Sequence, residues 1–395
     1  MVYLTYRIKI YYAVKLALQG CRYLLDKCKG IYYNGLMLIG IFGGAFDPFH
    51  KEHKELVKAA WQELNLDKIL IIPTAYPPHK IAPVASFTDR KAIIKAECKS
   101  LSYIEVSDAE LTNKQGYTYL LLKQLQALYP KDSFVFIIGA DSLLQFEHWK
   151  RPQEIAPLCT LAVAGREGYP DMDSSISKIK TLYGAKIIPL KYKGKEISST
   201  RLRASIELGL DVGDILGEEA LEIIKKRCLY KTHAQLVKWL KANISKELFA
   251  HTQRVVLFAL ELNAQARLSF DKVFLAALLH DVGKTVSQTD PVGHQYTGEQ
   301  IAIKLGIKDA DILQAIKYHT TAHKDIDALG KIVYLADKLE VGRDYQKAQQ
   351  FRALAKQDYS IAFEKLLEYN IDYLTSTGVT PDANSISTLA KIRRK

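Results

Sequence analysis

Short apolar runs alternate with amphipathic stretches through the first half of the chain. Residues 37–42 form one apolar run, and runs of strand length follow at 68–73, 103–106, 134–138, 161–164 and 185–190. Between them, apolar residues recur at helical spacing, as at 50–64, 89–99 and 117–128. This alternation predicts a parallel β-sheet covered by helices, with ligands bound at the carboxyl ends of the strands.

The pattern changes near residue 230. From there onward apolar residues recur at helical spacing, with hardly any strand-like alternation. We therefore predict three parts of the chain: an extension over 1–36 without assigned function, an α/β domain over 37–230 and an all-helical domain over 231–395. Because no glycine- or proline-rich linker separates the two domains, we expect them to touch.

Composition narrows the classes of partner. The chain carries a net charge of +12, but the first 36 residues hold six Lys or Arg against Asp26 alone. The remaining positive charge is spread thinly, without a long basic run, which favours anionic nucleotides over nucleic acid as ligands. The oligomeric state stays open, with a homo-oligomer among the alternatives.

The cysteine pattern and the hydropathy bear on the compartment. Five cysteines are scattered without Cys-x-x-Cys spacing, which argues against a disulfide framework or a thiolate zinc site and for a reducing cytoplasm. No uninterrupted apolar stretch reaches the length of a transmembrane helix. We expect a cytoplasmic protein that has no membrane partner.

The segment 39–53 holds the first candidate site. Its apolar run ends at Gly43–Gly44, where we expect backbone conformations that a Cβ would forbid. Asp47-Pro48 predicts a helix start, and His50 and His53 then lie on one helical face. A strand, a glycine turn and a helix N-terminus together bind anions, because free backbone N–H groups and the helix dipole favour negative charge.

Three further polar segments follow predicted strands and should face the same crevice. They are Pro77-Pro-His79-Lys80, Gly139-Ala-Asp141-Ser142 and Ile197-Ser198-Ser199-Thr200-Arg201-Leu-Arg203. In the third segment, N-cap hydroxyls precede a helix that carries an arginine one turn along. Hydroxyls, free amides and a guanidinium predict a second phosphate cradle.

These segments, together with Trp149, resemble a bacterial nicotinate-mononucleotide adenylyltransferase. The resemblance implies a Rossmann-like nucleotidyltransferase that joins ATP and nicotinate mononucleotide, giving nicotinate adenine dinucleotide and pyrophosphate. The chain departs from the family pattern at Glu52, where glycine is usual, and at Leu121, where a second threonine usually follows the segment of Tyr117. The carboxylate of Glu52 either points away from the phosphates or makes the site slower than its relatives. An acceptor such as nicotinamide mononucleotide or pantetheine phosphate is the alternative.

Roles for the first domain follow from this chemistry, which needs in-line alignment and charge neutralisation rather than a protein nucleophile. We predict that His50, His53 and Arg203 contact the triphosphate and that Mg²⁺ bridges the pyrophosphate. The predicted ATP-binding residues are Gly43, Gly44, Phe46, Gly139, Asp141, Ser142, Ile197, Ser198, Ser199 and Thr200. The predicted pyridine-nucleotide residues are His79, Lys80, Thr118 and Trp149, although Trp149 fits a core position equally well.

The helical domain carries a second set of polar residues. His251 is expected to begin a helix and His280-Asp281 to end one, and they are followed by His294, His319 and Asp337. Imidazoles and carboxylates on successive helices are ligands for a dinuclear site of Fe, Mn or Zn. A carboxylate at a buried helix end is costly unless it is paired or coordinating.

The helical domain resembles the HD phosphohydrolase superfamily and, more narrowly, the YqeK-type symmetrical diadenosine-tetraphosphate hydrolases. The resemblance rests on the metal-ligand order and on the strings 278–284, 318–321 and 334–340 with Arg343. It implies cleavage of diadenosine tetraphosphate to two ADP at a di-iron centre. Asp281 would bridge the metals, and Lys284 and Arg343 would bind flanking phosphates. The alternatives are another nucleotide substrate or a regulatory domain.

Overall fold

The computed structural model describes residues 36–76, 84–166, 172–195, 197–286 and 293–394. The predicted pyridine-nucleotide residues His79 and Lys80 and almost all of the N-terminal extension lie outside the described residues.

The first half contains a six-stranded parallel sheet in the order β3-β2-β1-β4-β5-β6. The strands are β1 Leu38–Gly44, β2 Lys68–Pro73, β3 Ile104–Val106, β4 Ser133–Gly139, β5 Thr160–Arg166 and β6 Lys186–Gly194. Strand β1 is central, with Ile41 in register with Leu70 of β2 and Phe136 of β4. From β1 the chain adds β2 and β3 on one side, and then β4, β5 and β6 on the other side. At such a switch point, here between β1 and β4, a crevice opens beyond the carboxyl ends of the strands.

Helices cover both faces of this sheet. They are α1 Lys51–Leu64, α2 Phe87–Glu97, α3 Thr118–Leu128, α4 Ala140–Leu144, α5 Pro152–Ile155, α6 Asp173–Tyr183, α7 Ser199–Glu207 and α8 Glu218–Lys226, with 3₁₀ turns at Ala109–Leu111 and Phe146–His148. Alternate strand residues enter two separate cores, so that Ile69 and Ile71 pack on one face and Leu70 and Ile72 on the other. The predicted Rossmann-like α/β fold is confirmed.

The second half is helical throughout its described residues. Its helices are α9 Ala234–Asn243, α10 Lys246–Ala266, α11 Phe270–Leu279, α12 Gly293–Lys304, α13 Ala310–Lys317, α14 Ala328–Leu339, α15 Ala348–Gln357, α16 Tyr359–Ser376 and α17 Ala383–Ile392, with a 3₁₀ turn at Val282–Thr285. One apolar core joins them, and Ala204 and Leu208 at the end of α7 belong to it. The predicted all-helical fold is confirmed, whereas the boundary after residue 230 stays a prediction because apolar packing crosses it.

No helix among the described residues combines the length and the apolar character that a membrane crossing requires.

Candidate active sites

The turn after β1 differs from the sequence prediction. Neither Gly43 nor Gly44 adopts a positive φ, whereas Phe46 does, at 49°. Glycine is required at 44 for another reason: a Cβ there would lie 2.8 Å from the ring of Phe46. That ring is buried against Phe42 and Phe49, at centroid distances of 5.1 and 5.4 Å. The packing of the Phe46 ring thus offsets the cost of its left-handed backbone conformation, which is roughly 1–2 kcal/mol. Because the ring is buried, only the backbone of Phe46 is left to contact a nucleotide.

The two histidines meet at the start of α1, as their spacing predicts. His50 is the buried N-cap residue, and its ring stacks on that of His53 at a centroid distance of 3.7 Å. The backbone N–H of His50 donates to Nδ1 of His53 over 3.3 Å. Burial, then the neighbouring His50, lower the pKa of His53 well below its ordinary value. His53 is therefore neutral at pH 7, and since Nδ1 accepts a hydrogen bond, its proton is on Nε2.

A cavity of about 440 Å³ lies at the switch point between β1 and β4. Seven of the predicted nucleotide-binding residues line it, namely Gly43, Gly44, Thr118, Gly139, Asp141, Ser142 and Trp149. The Trp149 ring also packs against Phe136 and Phe146, so it is both a core residue and a wall of the cavity. Leu121 adds an apolar wall.

The second predicted phosphate-binding segment lies at the N-terminus of α7 and is hydrogen-bonded to the turn that precedes His50. Ser198 caps the helix by accepting from the N–H of Arg201 over 3.1 Å, and Ile197 is half-buried before it. Ser199 Oγ donates to the carbonyl oxygen of Pro48 over 3.1 Å.

Arg203 completes this attachment. Its Nη1 donates to the carbonyl oxygen of Asp47 over 2.8 Å, and its Nη2 lies 3.4 Å from Oγ1 of Thr200. These residues do not line the cavity but border the histidine turn. The structure therefore divides the predicted ATP-binding residues between the cavity and this cap.

The six predicted metal ligands of the helical half converge on one place. His251 is the sixth residue of α10, so the prediction that it begins a helix is wrong. His280 and Asp281 follow α11, His294 lies in the first turn of α12, His319 follows α13 and Asp337 lies within α14. All six are buried.

Asp281 is shared by two groups of ligand atoms. One group joins it to His251 and His280, the other to His294 and His319, and the ligand atoms within each group lie within 4.8 Å of one another. Oδ1 of Asp281 lies 3.2 Å from His294 Nε2 and 3.4 Å from His319 Nε2, and Oδ2 lies 3.4 Å from His280 Nε2. Asp337 is a sixth donor, with Oδ1 at 3.2 Å from His251 Nε2.

The donor set fits transition-metal ions. Nδ1 of His280 and of His319 each contacts a backbone carbonyl oxygen, at 2.8 and 2.7 Å, which directs both Nε2 atoms to the centre. Nε2 of His280 and Oδ1 of Asp281 are buried and make no hydrogen bond within the described part of the chain. Burial opposes the charge on Asp281, but the imidazoles outweigh burial and hold the pKa of this carboxyl well below its usual range. The ligating form is therefore the carboxylate.

Comparison with known proteins matches each half of the chain to a different family model. A cytidylyltransferase-like family model matches residues 41–205, and an HD domain model matches residues 248–342. A Clostridium novyi protein named "Probable nicotinate-nucleotide adenylyltransferase" is 36% identical over 196 residues, which cover 98% of that protein and 49% of this chain.

The chain belongs to the nicotinate-nucleotide adenylyltransferase family.

Within this family the chain is an adenylyltransferase that also carries an HD hydrolase domain. A Mycoplasma genitalium protein named "Probable nicotinate-nucleotide adenylyltransferase/Ap4A hydrolase" is 29% identical over 353 residues, covering 83% of this chain and 96% of that protein. A solved Plasmodium falciparum nicotinic acid mononucleotide adenylyltransferase is 21% identical with a TM-score of 0.42, and covers 49% of this chain and 97% of its own. Both halves of the predicted resemblance are confirmed by the sequence relatives and the family models.

Sequence reasoning missed a buried network that shapes the adenylyltransferase turn. Arg90, only 2% exposed, donates to the backbone carbonyls of Ala45, Thr74 and Ala85. Asp47 accepts from the N–H groups of residues 84 and 85 and, over 3.0 Å, from the hydroxyl of Tyr230. The sequence signals only a helix start at Asp47 and an arginine in a first turn, because the partners lie as far as 183 residues away.

Glu52 is directed to β6. Its Oε2 accepts from the hydroxyl of Tyr192 over 2.7 Å and from the N–H of Lys195 over 2.9 Å. Of the two alternatives for this unusual residue, the structure favours a carboxylate turned away from the phosphates. Its contacts tie α1 to the segment that leads into the Ser198 cap.

We expect Glu52→Ala to lower kcat/KM for ATP by about 3- to 10-fold, because two hydrogen bonds that hold the cap segment are lost. Steady-state kinetics of pyrophosphate release measure this change. Glu55→Ala is the matched control, since Glu55 lies on the same helix and pairs only with Lys58 among the described residues. An unchanged kcat/KM in Glu52→Ala would show that the tie does not position the cap.

Lys284 and Arg343 both reach the HD centre, through its carboxylates. Lys284 Nζ lies 2.7 Å from Oδ2 of Asp281, and Arg343 Nη2 lies 3.0 Å from Oδ1 of Asp337. Both side chains are partly exposed, at 28% and 44%. Each cation thus borders the ligand cluster and still faces solvent, from which a substrate arrives.

A second residue that the sequence reasoning missed is Glu340. It is 1% exposed, and its Oε1 lies 3.1 Å from Nδ1 of His251, while Arg254 pairs with its other oxygen. A carboxylate that holds the outer nitrogen of a ligating imidazole fixes the ring orientation and raises the basicity of the ligand. The spacing could have indicated this role, because Glu340 follows Asp337 by three residues and therefore lies on the same face of the helix.

We expect Glu340→Gln to weaken metal binding by about 10- to 100-fold, since the amide orients and polarises His251 less well. Metal content after dialysis and titration of the apoprotein measure the effect. Glu368→Gln, which alters a pair on the surface of the same domain, serves as control. Equal metal affinity in Glu340→Gln and wild type would contradict the positioning role.

Proposed function

We propose that the first half transfers adenylyl from ATP to nicotinate mononucleotide, giving nicotinate adenine dinucleotide and pyrophosphate. The observation that carries this proposal is the junction at Asp47–Pro48. There the histidine turn, the Ser199 hydroxyl and the Arg203 guanidinium meet beside the cavity between β1 and β4. Phosphate-binding groups thus border a cavity with an aromatic wall, which suits a nucleotide acceptor.

The residues act by position and charge. His50 and His53 donate to α- and β-phosphate oxygens, His53 from Nε2 in its neutral form. The free amides after Ser198 and the guanidinium of Arg203 bind the outer phosphates, which become the leaving pyrophosphate. Thr118 and Trp149 in the cavity wall orient the acceptor, so that its phosphate oxygen attacks the α-phosphorus in line.

Mg²⁺ enters, on this proposal, with the ATP phosphates rather than as a resident ion. Both metal-ligand groups found among the described residues lie in the HD half. Near the turn, the carboxylates of Asp47 and Glu52 are engaged in hydrogen bonds to the protein. Bound with the ATP phosphates, Mg²⁺ would supply charge neutralisation for the leaving group.

The acceptor is tested by incubating the protein with ATP and, separately, nicotinate mononucleotide, nicotinamide mononucleotide and pantetheine phosphate. We expect pyrophosphate release to be fastest with nicotinate mononucleotide. Faster release with either other acceptor would transfer the assignment to that acceptor, and no release with any of them would reject adenylyl transfer.

For the HD half we propose hydrolysis of diadenosine tetraphosphate to two ADP at a dinuclear centre, with iron as the metal. The sharing of Asp281 between two histidine groups supports two ions, and the name of the Mycoplasma genitalium relative supports the substrate. Two ions at these ligands would supply an activated water and a clamp on the phosphoanhydride. Lys284 and Arg343 would hold the flanking phosphates, because their positive charges complement the negative charge of the phosphates.

Purification under anaerobic conditions followed by elemental analysis tests the metal, with two iron atoms per chain expected. Chromatography of the products from diadenosine tetraphosphate should then show only ADP. Products such as ATP with AMP would contradict symmetrical cleavage. Absence of hydrolysis after reconstitution with iron, manganese or zinc would instead favour a regulatory HD domain.

A further inference from the structure

The helix that carries the phosphate cap also forms the contact with the HD domain. Ala204 of α7 and Leu208, which follows this helix, are buried in the apolar core of the helical half. Nε2 of Gln253 on α10 donates to the carbonyl oxygen of Leu208 over 3.3 Å, and Arg201 lies 3.7 Å from Glu261 on α10. One helix is therefore held by both domains, with its N-terminus at the adenylyltransferase site.

The join between the domains is fixed next to this helix. The carboxylate of Glu207 accepts from the N–H groups of Thr232 and His233 over 3.0 and 2.7 Å. Nε2 of His233 lies 2.9 Å from Oδ1 of Asp271, the second residue of α11. These contacts hold the start of α11 against the end of α7.

Phe270, the first residue of α11, lies over the guanidinium of Arg203. Cζ of Arg203 is 5.4 Å from the centroid of the Phe270 ring, within the range of a cation–π interaction. The ring is supported by Phe274, at a centroid distance of 5.5 Å. Nη1 of Arg203 contacts the carbonyl oxygen of Asp47 and lies 3.6 Å from its carboxylate, Nη2 faces Thr200, and Nε is buried without a hydrogen bond among the described residues. A ring from the HD domain thus contributes to fixing the plane of this guanidinium.

We propose that Phe270 of the HD domain is a positioning residue for ATP binding by the adenylyltransferase domain. This inference rests on the proposed role of Arg203 in binding the outer phosphates. An arginine that binds phosphate uses a planar fork whose orientation decides which oxygens it reaches. Without the ring, the long side chain gains rotamer freedom that ATP binding must remove again. The HD domain thereby completes the triphosphate subsite of its neighbour.

The test compares Phe270→Leu with Phe270→Tyr in the full-length chain. We expect Phe270→Leu to raise KM for ATP roughly 3- to 10-fold, with kcat and KM for nicotinate mononucleotide unchanged, and Phe270→Tyr to restore the wild-type KM. Hydrolysis of diadenosine tetraphosphate and bound metal should be equal in both variants, which shows that the HD domain is folded. Lys272→Ala is the matched control on α11, because Lys272 pairs with Asp309 and Asp311 within the HD domain.

A double variant separates this inference from the function on which it rests. In an Arg203→Ala background, Phe270→Leu should add no further increase in KM for ATP. An equal increase in both backgrounds, or a Phe270→Leu variant with unchanged KM beside an impaired Arg203→Ala, would overturn the positioning role and leave the proposed function intact. If Arg203→Ala itself binds ATP normally, the proposed role of Arg203 fails, and the inference fails with it.

Discussion

Asp281→Asn is expected to abolish hydrolysis of diadenosine tetraphosphate and to release the bound metal, while adenylyl transfer continues at the wild-type rate. The carboxylate oxygens of Asp281 face two sets of imidazole nitrogens at 3.2–3.4 Å. Asparagine offers one oxygen and no charge, so the proposed bridge between two ions would be lost. Mutation of a residue that only hydrogen-bonds to a metal ligand typically costs about 10- to 100-fold in metal affinity or activity. For the ligand Asp281 itself we therefore expect hydrolytic activity to fall by at least about 100-fold.

Two measurements check this expectation: ADP formation followed by chromatography, and metal content by elemental analysis. Asp325→Asn is the control, because Asp325 pairs with Lys391 on the surface of the same domain. A variant that keeps two metal ions per chain would show that Asp281 is not a bridging ligand. Full hydrolytic activity would remove the proposed centre altogether.

His50→Ala is expected to produce the reciprocal result. It removes a buried ring that stacks on His53 and, on the proposed mechanism, a donor to the phosphates. Loss of one preorganised donor at a site of developing charge lowers kcat by about 100- to 1,000-fold. Hydrolysis of diadenosine tetraphosphate should be unaffected, since the HD ligands lie on other helices.

Pyrophosphate release under saturating ATP measures the loss in His50→Ala. His323→Ala is a suitable control, because that imidazole lies in the HD half outside the metal-ligand groups and stacks on Tyr318. His50→Gln keeps a side-chain donor and should retain more activity than alanine. A loss below about threefold in His50→Ala would contradict a direct contact with the phosphates, given the size of such effects in other enzymes.

The predictions of the fold class and of the converging polar residues rest on local patterns. Apolar runs of strand length between helical stretches predict a parallel sheet, because every strand of such a sheet is buried on both faces. Carboxyl ends of parallel strands meet at one edge, so the placement of Gly43 and Gly139 around one cavity could be expected. The convergence of His251, His280 and Asp281 was anticipated from the ligand types alone, although the position of His251 within its helix was not.

What the sequence did not decide concerns contacts made in three dimensions. Gly43 and Gly44 were expected to adopt backbone conformations that a Cβ would forbid, but neither has a positive φ, and at Gly44 it is the ring of Phe46 that leaves no room for a Cβ. The direction of Glu52 depends on Tyr192, 140 residues away. The structural roles of Arg90 and Asp47 were missed because the charge of a residue does not reveal its hydrogen-bond partners.

The sequence by itself determined the fold class of each half and the types of residue from which the two candidate sites are built. Periodicity, turn chemistry and donor atoms are local properties, so they can be assigned without coordinates. Only the tertiary structure decided that Glu340 holds His251 and that Phe270 covers Arg203. Each of these is a contact between separate helices. Such contacts depend on how whole helices pack against one another, which no single stretch of sequence reveals.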